Sequence, residues 1–123
     1  KQLSEKIFFV GPIQGDKMQS YYNSSDVLIL PSRFDGWGAV LNEGMFNGLA
    51  LIASDQCGAA YHIIDDNRNG FIFKAGNTRD LSSKMQYYVN NSNLLNEHKE
   101  FSKVNYEKYN GLSNKNRLIS QKK

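Results

Sequence analysis

The stretch "DVLILPSRFDGWGAVLNEGMFNGLALIAS", residues 26–54, decides the fold. It opens on an apolar run, stops at Pro31-Ser32, passes through a loop with glycines on either side of Trp37, takes up helical spacing, and closes on a second apolar run. Short, near-continuous apolar runs suit strands of a parallel sheet that is covered on both faces. Strand, helix and strand in that order make a βαβ unit. Across the helix predicted over 39–47, Leu41, Met45 and then Leu49 fall on one stripe that faces the sheet. Glu43 stands two positions from both Leu41 and Met45, roughly 160–200° around the helix, and so lies off the core. Gly44 and Gly48 each cost about 1 kcal/mol relative to Ala inside a helix. Their presence points to another backbone or a ligand packed closely against them.

The same rhythm extends in both directions. "KIFFV" (6–10), which stops at Gly11-Pro12, and "GFIF" (70–73) read as further strands. Helices are predicted over 16–23, 59–64, 78–90 and 94–109. Asn77 or Thr78 can cap the helix over 78–90 while Asp80 complements its dipole. In the last helix Leu94, Leu95, Phe101 and Val104 stand among charged residues, as on a surface helix. The fold class is therefore α/β, a Rossmann-like parallel sheet with flanking helices, over residues 1–109. A basic, polar C-terminal tail follows over 110–123.

With 123 residues there is room for one ordinary domain. Hydrophobic residues at 40% and charged residues at 22% exclude a disordered class. The apolar runs are too short to cross a bilayer, and no signal-peptide pattern opens the chain, so the expected location is cytoplasmic or peripheral at a membrane's inner face. A single cysteine, Cys57, suits a reducing compartment and reads as a small buried hydrophobe. The net charge of +3 gathers largely in the last third, ending in "KNRLISQKK", which reads as a solvated tail with no nucleic-acid partner. "KEFSKVNYEKY" interleaves aromatics with lysines, as single-strand binders do. Helical spacing explains Phe101 and Val104 more simply. A dinucleotide oxidoreductase lacks support because no G-x-G-x-x-G follows a strand.

In open α/β sheets, ligands bind beyond the carboxyl ends of the strands. Residues 31–40 occupy that position. Gly36 and Gly38 let the backbone turn tightly and bring bare amides close to a ligand. A helix starting near Ala39 would aim the amides of Gly38, Ala39 and Val40 at an anion such as phosphate. Asp35 and Glu43 flank this loop, though as isolated acids they read equally well as a capping carboxylate and a solvated helix residue. His62 near a short helix reads as structural. Arg33 is the one cation near the loop, able to neutralise phosphate or to pair with Asp35.

"DVLILPSRFDGWGAVLNEGMFNGLALIASDQCGA" followed by "IIDDNRNGFIFKAGN" resembles the C-terminal, donor-binding half of family-4 retaining glycosyltransferases of the GT-B fold, in a subset with a D-G-W-G loop and D-x-C-G-A after the next strand. The likeness covers about residues 6–90. It implies transfer of a sugar from a nucleoside-diphosphate sugar to an acceptor hydroxyl with retention, in polysaccharide or glycolipid synthesis. In that family an acid, seven intervening residues and a Glu form the donor signature, matched here by Asp35 and Glu43. By that correspondence Glu43 accepts from the ribose hydroxyls, and Asp35 contacts hydroxyls of the transferred sugar in the catalytic position. Carboxylates suit both tasks, since each accepts two hydrogen bonds from a vicinal diol. The amides of Trp37, Gly38, Ala39 and Val40 would meet sugar and diphosphate with Gly36 beside them. Ile13 in "GPIQGD" would meet the nucleobase. No metal or other cofactor is implied, because positive groups and helix amides hold the diphosphate.

The departures have consequences too. The first acid is Asp where most of the family has Glu, which sets its carboxylate back by one methylene. "AAYHII" replaces the family's Pro-Glu after the third strand. The Arg and Lys that usually grip the diphosphate, and the acceptor-binding N-terminal domain, match nothing in this chain. By itself it is then expected to be inactive. If the whole domain has strand order 3-2-1-4-5-6, "KIFFV" is strand 3 and "DVLIL" strand 4. "KIFFV" must then pair directly with "DVLIL", lie loose, or leave sheet edges for homo-association. The alternative to an enzyme is a non-catalytic nucleotide-binding or pseudo-enzyme module.

Overall fold

The computed structural model describes residues 6–33 and 39–121, with side chains as far as Glu107. Its elements run α1 (Asp16–Asn23), β1 (Val27–Leu30), α2 (Ala39–Phe46), β2 (Ala50–Ser54), α3 (Ala60–Ile63), β3 (Gly70–Phe73), α4 (Thr78–Asn90) and α5 (Ser92–Gln121). The three strands form one parallel sheet in the order β1-β2-β3. Val27 stands opposite Ala50, and Leu51 opposite Gly70.

Alternation along the strands sorts their side chains onto two faces. Leu28, Leu30, Leu51, Ala53 and Ile72 face a cluster built with Tyr22, Leu41, Met45, Ala60 and Ile63. Val27, Ile29, Ala50, Ile52, Phe71 and Phe73 face a second cluster with Leu81, Tyr88, Leu94 and Leu95. The sheet is thus covered on both sides, and β2 between its neighbours is wholly buried. Burying Leu51 and Ile52 in full contributes about 1.5–3 kcal/mol each.

The stripe on α2 faces the sheet as its spacing requires, with Leu41 and Met45 fully buried and Leu49 nearly so. The two glycines have separate explanations. A Cβ on Gly44 would stand 2.6 Å from Leu28 Cδ2 and 2.9 Å from Leu51 Cδ2, so β1 and β2 side chains pack there rather than a backbone or a ligand. Gly48 lies beyond the helix at φ 70°, with Leu49 N–H donating to Gly44 O and Gly48 N–H to Met45 O, both at 3.0 Å. That pair of bonds is a Schellman cap, which takes its left-handed residue as glycine.

Two sequence expectations change. Residues 7–10 of "KIFFV" form no strand, and Phe8 and Phe9 are 78% and 97% exposed. A strand exists only through a hydrogen-bonded neighbour, and this segment does not join β1. The last helix runs from Ser92 to Gln121, through most of the segment read as a polar tail. Val104 on it is 52% exposed, whereas His98 and Ser102 are buried. Its inner face is partly polar: Ser102 Oγ donates to Leu49 O at 2.7 Å and Asn105 Nδ2 to Ile63 O at 3.3 Å. On α4 the Asn77 side chain accepts from Asp80 N–H at 2.9 Å, the expected cap. No helix among the described residues is long and apolar enough to cross a membrane.

Candidate functional site

Glu43 projects from α2 toward α1, where Tyr22 meets it. The Tyr22 hydroxyl donates to Glu43 Oε1 at 2.6 Å. The Tyr22 ring belongs to the core cluster on that face of the sheet and is only 6% exposed, so its hydroxyl is aimed by packing. Burial first, then the bond to Glu43 and the charge of that carboxylate, push the phenol up to about 12. It therefore stays protonated, and a donor, throughout the neutral range.

A depression of about 550 Å³ opens between these two helices. Ile13, Gln14, Gly15, Met18, Gln19 and Tyr22 line one side, while Glu43, Phe46 and Asn47 line the other. The Gln19–Asn47 bond bridges the sides beside Tyr22–Glu43, and two further bonds stay on one side each. Gln19 Nε2 donates to Asn47 Oδ1 and to Asn23 Oδ1, the latter at 2.9 Å, and Asn47 Nδ2 donates to Glu43 O at 2.8 Å. The cleft pairs an apolar surface with a few fixed amides and one carboxylate. That combination suits a flat, partly polar ring joined to a diol.

At the carboxyl ends of the strands, neighbouring loops are fastened together. Ser54 Oγ donates to Ser32 O, Ala75 N–H to Asp55 Oδ1 at 3.0 Å, and Lys74 N–H to Asp80 Oδ2 at 2.8 Å. Ser54 and Asp55 thereby tie the β1–α2 and β3–α4 loops to the end of β2. Pro31, Arg33, Gly76, Asn77 and Thr78 border a second, smaller depression of about 170 Å³ at this edge.

Of the residues picked from the sequence, Ile13 and Glu43, thirty positions apart, line the same depression. Ala39, exposed, and Val40, half-buried, open α2, where the first amides of a helix have no partner within it. Asp35, Gly36, Trp37 and Gly38 lie outside the described residues. Cys57 is buried and His62 is exposed on α3. Tyr22, Gln19 and Asn47 were not singled out from the sequence. The available signal for Tyr22 was that a buried tyrosine needs a partner for its hydroxyl.

Parallel strands in sequence order with helices on both faces make this a Rossmann-like α/β domain, and its structural neighbours are glycosyltransferases of the GT-B fold. The correspondence is to the C-terminal half of that fold. The chain belongs to the family of glycosyl transferases group 1, which residues 1–108 match. It is 33% identical over 94 residues to sulfoquinovosyl transferase SQD2 of Arabidopsis thaliana, covering 70% of this chain and 18% of that protein. Sucrose-phosphate synthase from Thermosynechococcus elongatus superposes with a TM-score of 0.80 at 18% identity, over 98% of this chain and 31% of its own. HepE of Anabaena, solved in complex with UDP, gives a TM-score of 0.66 at 14% identity, over 87% and 30%. The chain thus spans less than a third of each of these proteins. At such identities the two solved structures speak for the fold.

Proposed function

We propose that this chain is the donor-binding part of a retaining glycosyltransferase of the family-4 kind, which takes its sugar from a nucleoside diphosphate. The observation that carries the proposal is the placement of Glu43 and Ile13 in one depression with a fixed hydrogen-bond donor behind the carboxylate. Ile13 offers an apolar surface to the base, and Glu43 accepts from the ribose diol. Support for a nucleotide sugar also comes from HepE, which was solved with UDP and with UDP-glucose. The α2 amides of Ala39 and Val40 receive diphosphate charge, and Asp35 holds the sugar. In the reaction the bond from the sugar's anomeric carbon to diphosphate oxygen breaks and one to the acceptor oxygen forms, the acceptor's proton passing to a base. Helix amides stabilise the charge growing on the leaving diphosphate without a metal.

Turnover requires an acceptor-binding domain, so the 123-residue chain binds the donor without transferring it. The setting proposed for the whole enzyme is cytoplasmic or peripheral at the inner face of a membrane, in polysaccharide or glycolipid synthesis. Saturation-transfer NMR of the chain with UDP, GDP and ADP tests the donor assignment. Transfer to ribose and base protons is expected for at least one nucleotide, with affinity lowered by at least about tenfold in Glu43→Ala. Absence of transfer from every nucleotide would sink it.

A further inference from the structure

We infer that Tyr22 is a positioning residue for the donor site: its hydroxyl holds one oxygen of the Glu43 carboxylate and presents the other to the ribose diol. The inference rests on the proposed ribose role of Glu43 and adds to it. The Tyr22 ring is locked in the core beside Met18, Leu41 and Met45, while Glu43 stands exposed on α2. An exposed glutamate turns freely about its side-chain bonds, and ordering it when a ligand arrives weakens binding. The 2.6 Å bond from Tyr22 fixes the carboxylate in advance. A carboxylate has about four acceptor sites, so the bond to Oε1 leaves Oε2 open for a hydroxyl. Asn47, donating to the backbone carbonyl of Glu43 at 2.8 Å, steadies the same turn of α2. Since the buried phenol remains protonated at neutral pH, the donor is always available.

A purely structural Tyr22 would join α1 to α2 and nothing more, and ribose chemistry separates the two roles. Tyr22→Phe keeps the ring and removes only the hydroxyl. Affinities are measured by titration calorimetry or NMR for the nucleoside diphosphate that binds best and for its 2′,3′-dideoxy form, in the parent chain, Tyr22→Phe, Glu43→Gln and the double variant. Circular dichroism and thermal midpoints verify that each is folded. The expected result is a loss of about three- to tenfold for the ribose form in Tyr22→Phe, no loss for the dideoxy form, and a double variant little worse than Glu43→Gln. Equal losses on both ligands, or no loss on either, overturn the positioning role while leaving Glu43's assignment standing. If Glu43→Gln binds ribose and dideoxy forms as the parent does, or if the parent binds no diphosphate, the ribose reading fails first and the Tyr22 role with it.

Discussion

Tyr88 on α4 and His98 on α5 face each other in the second core cluster, with the tyrosine oxygen 2.6 Å from His98 Nδ1. Burial lowers the imidazole's pKa, while the backbone at Asn67 and the carboxylates of Glu97 and Asp66 pull the other way without reversing the shift. Burial likewise raises the Tyr88 phenol, with Asp66 adding to the effect. The unfolded chain therefore takes up a proton at His98 more readily than the folded one. The stability from a neutral His98 is complete above the unfolded value of about 6.5, and falls as pH drops from there toward the lowered folded value. His98→Gln keeps an acceptor for Tyr88 and does not titrate. Thermal midpoints at pH 7.5 and 5.5 should differ less in this variant than in the parent, and an equal difference would contradict the assignment. Neither this pair nor Tyr22–Glu43 was legible in the sequence. The spacing showed that Glu43 lies off the core, but a partner 21 residues away on another helix leaves no local mark. A buried histidine on a helix also breaks the apolar pattern from which core positions are read.

Among the elements, periodicity served best where the buried face is apolar. The stripe of α2 and the residue range of α4 follow directly, because Leu41, Met45 and the Asn77 cap speak through spacing and local chemistry. On α5 the inner face carries His98, Ser102 and Asn105, so the apolar spacing points to Val104, which faces outward. Gly48 shows a similar ambiguity. Counting it as a helical residue made it look like a contact point, whereas its left-handed φ and the two capping bonds make it the stop of α2. An L residue in the left-handed region costs roughly 1–2 kcal/mol. Gly48→Ala should lose about that much stability in chemical denaturation. Lys103, whose flexible stem borders the position, can swing aside without adding much to the loss. A variant as stable as the parent would mean that α2 can end without the left-handed turn.

At the scale of the whole molecule, the sheet has a closed middle and open sides. β2 is paired on both edges and buried on both faces, while among the described residues the outer edges of β1 and β3 carry no neighbouring strand. Beyond the sheet, Ile7, Phe8, Phe9 and Val10 are each at least half exposed, four apolar side chains in succession. The sequence marks this segment as a strand by composition, yet composition cannot supply the partner that makes a strand. Unpaired strand edges template pairing with other chains, and contiguous exposed apolar surface drives association. The 123-residue chain in isolation should therefore self-associate through these exposed surfaces. Sedimentation velocity over a wide concentration range is expected to show mass rising with concentration. The Phe8→Lys, Phe9→Lys double variant should shift the distribution toward monomer, since it replaces two exposed apolar rings with charge. The two rings contribute almost nothing to the described core, so the variant's thermal midpoint should remain near the parent's. A parent that stays monomeric at every concentration would show that the open edge and the apolar segment do not recruit a second copy.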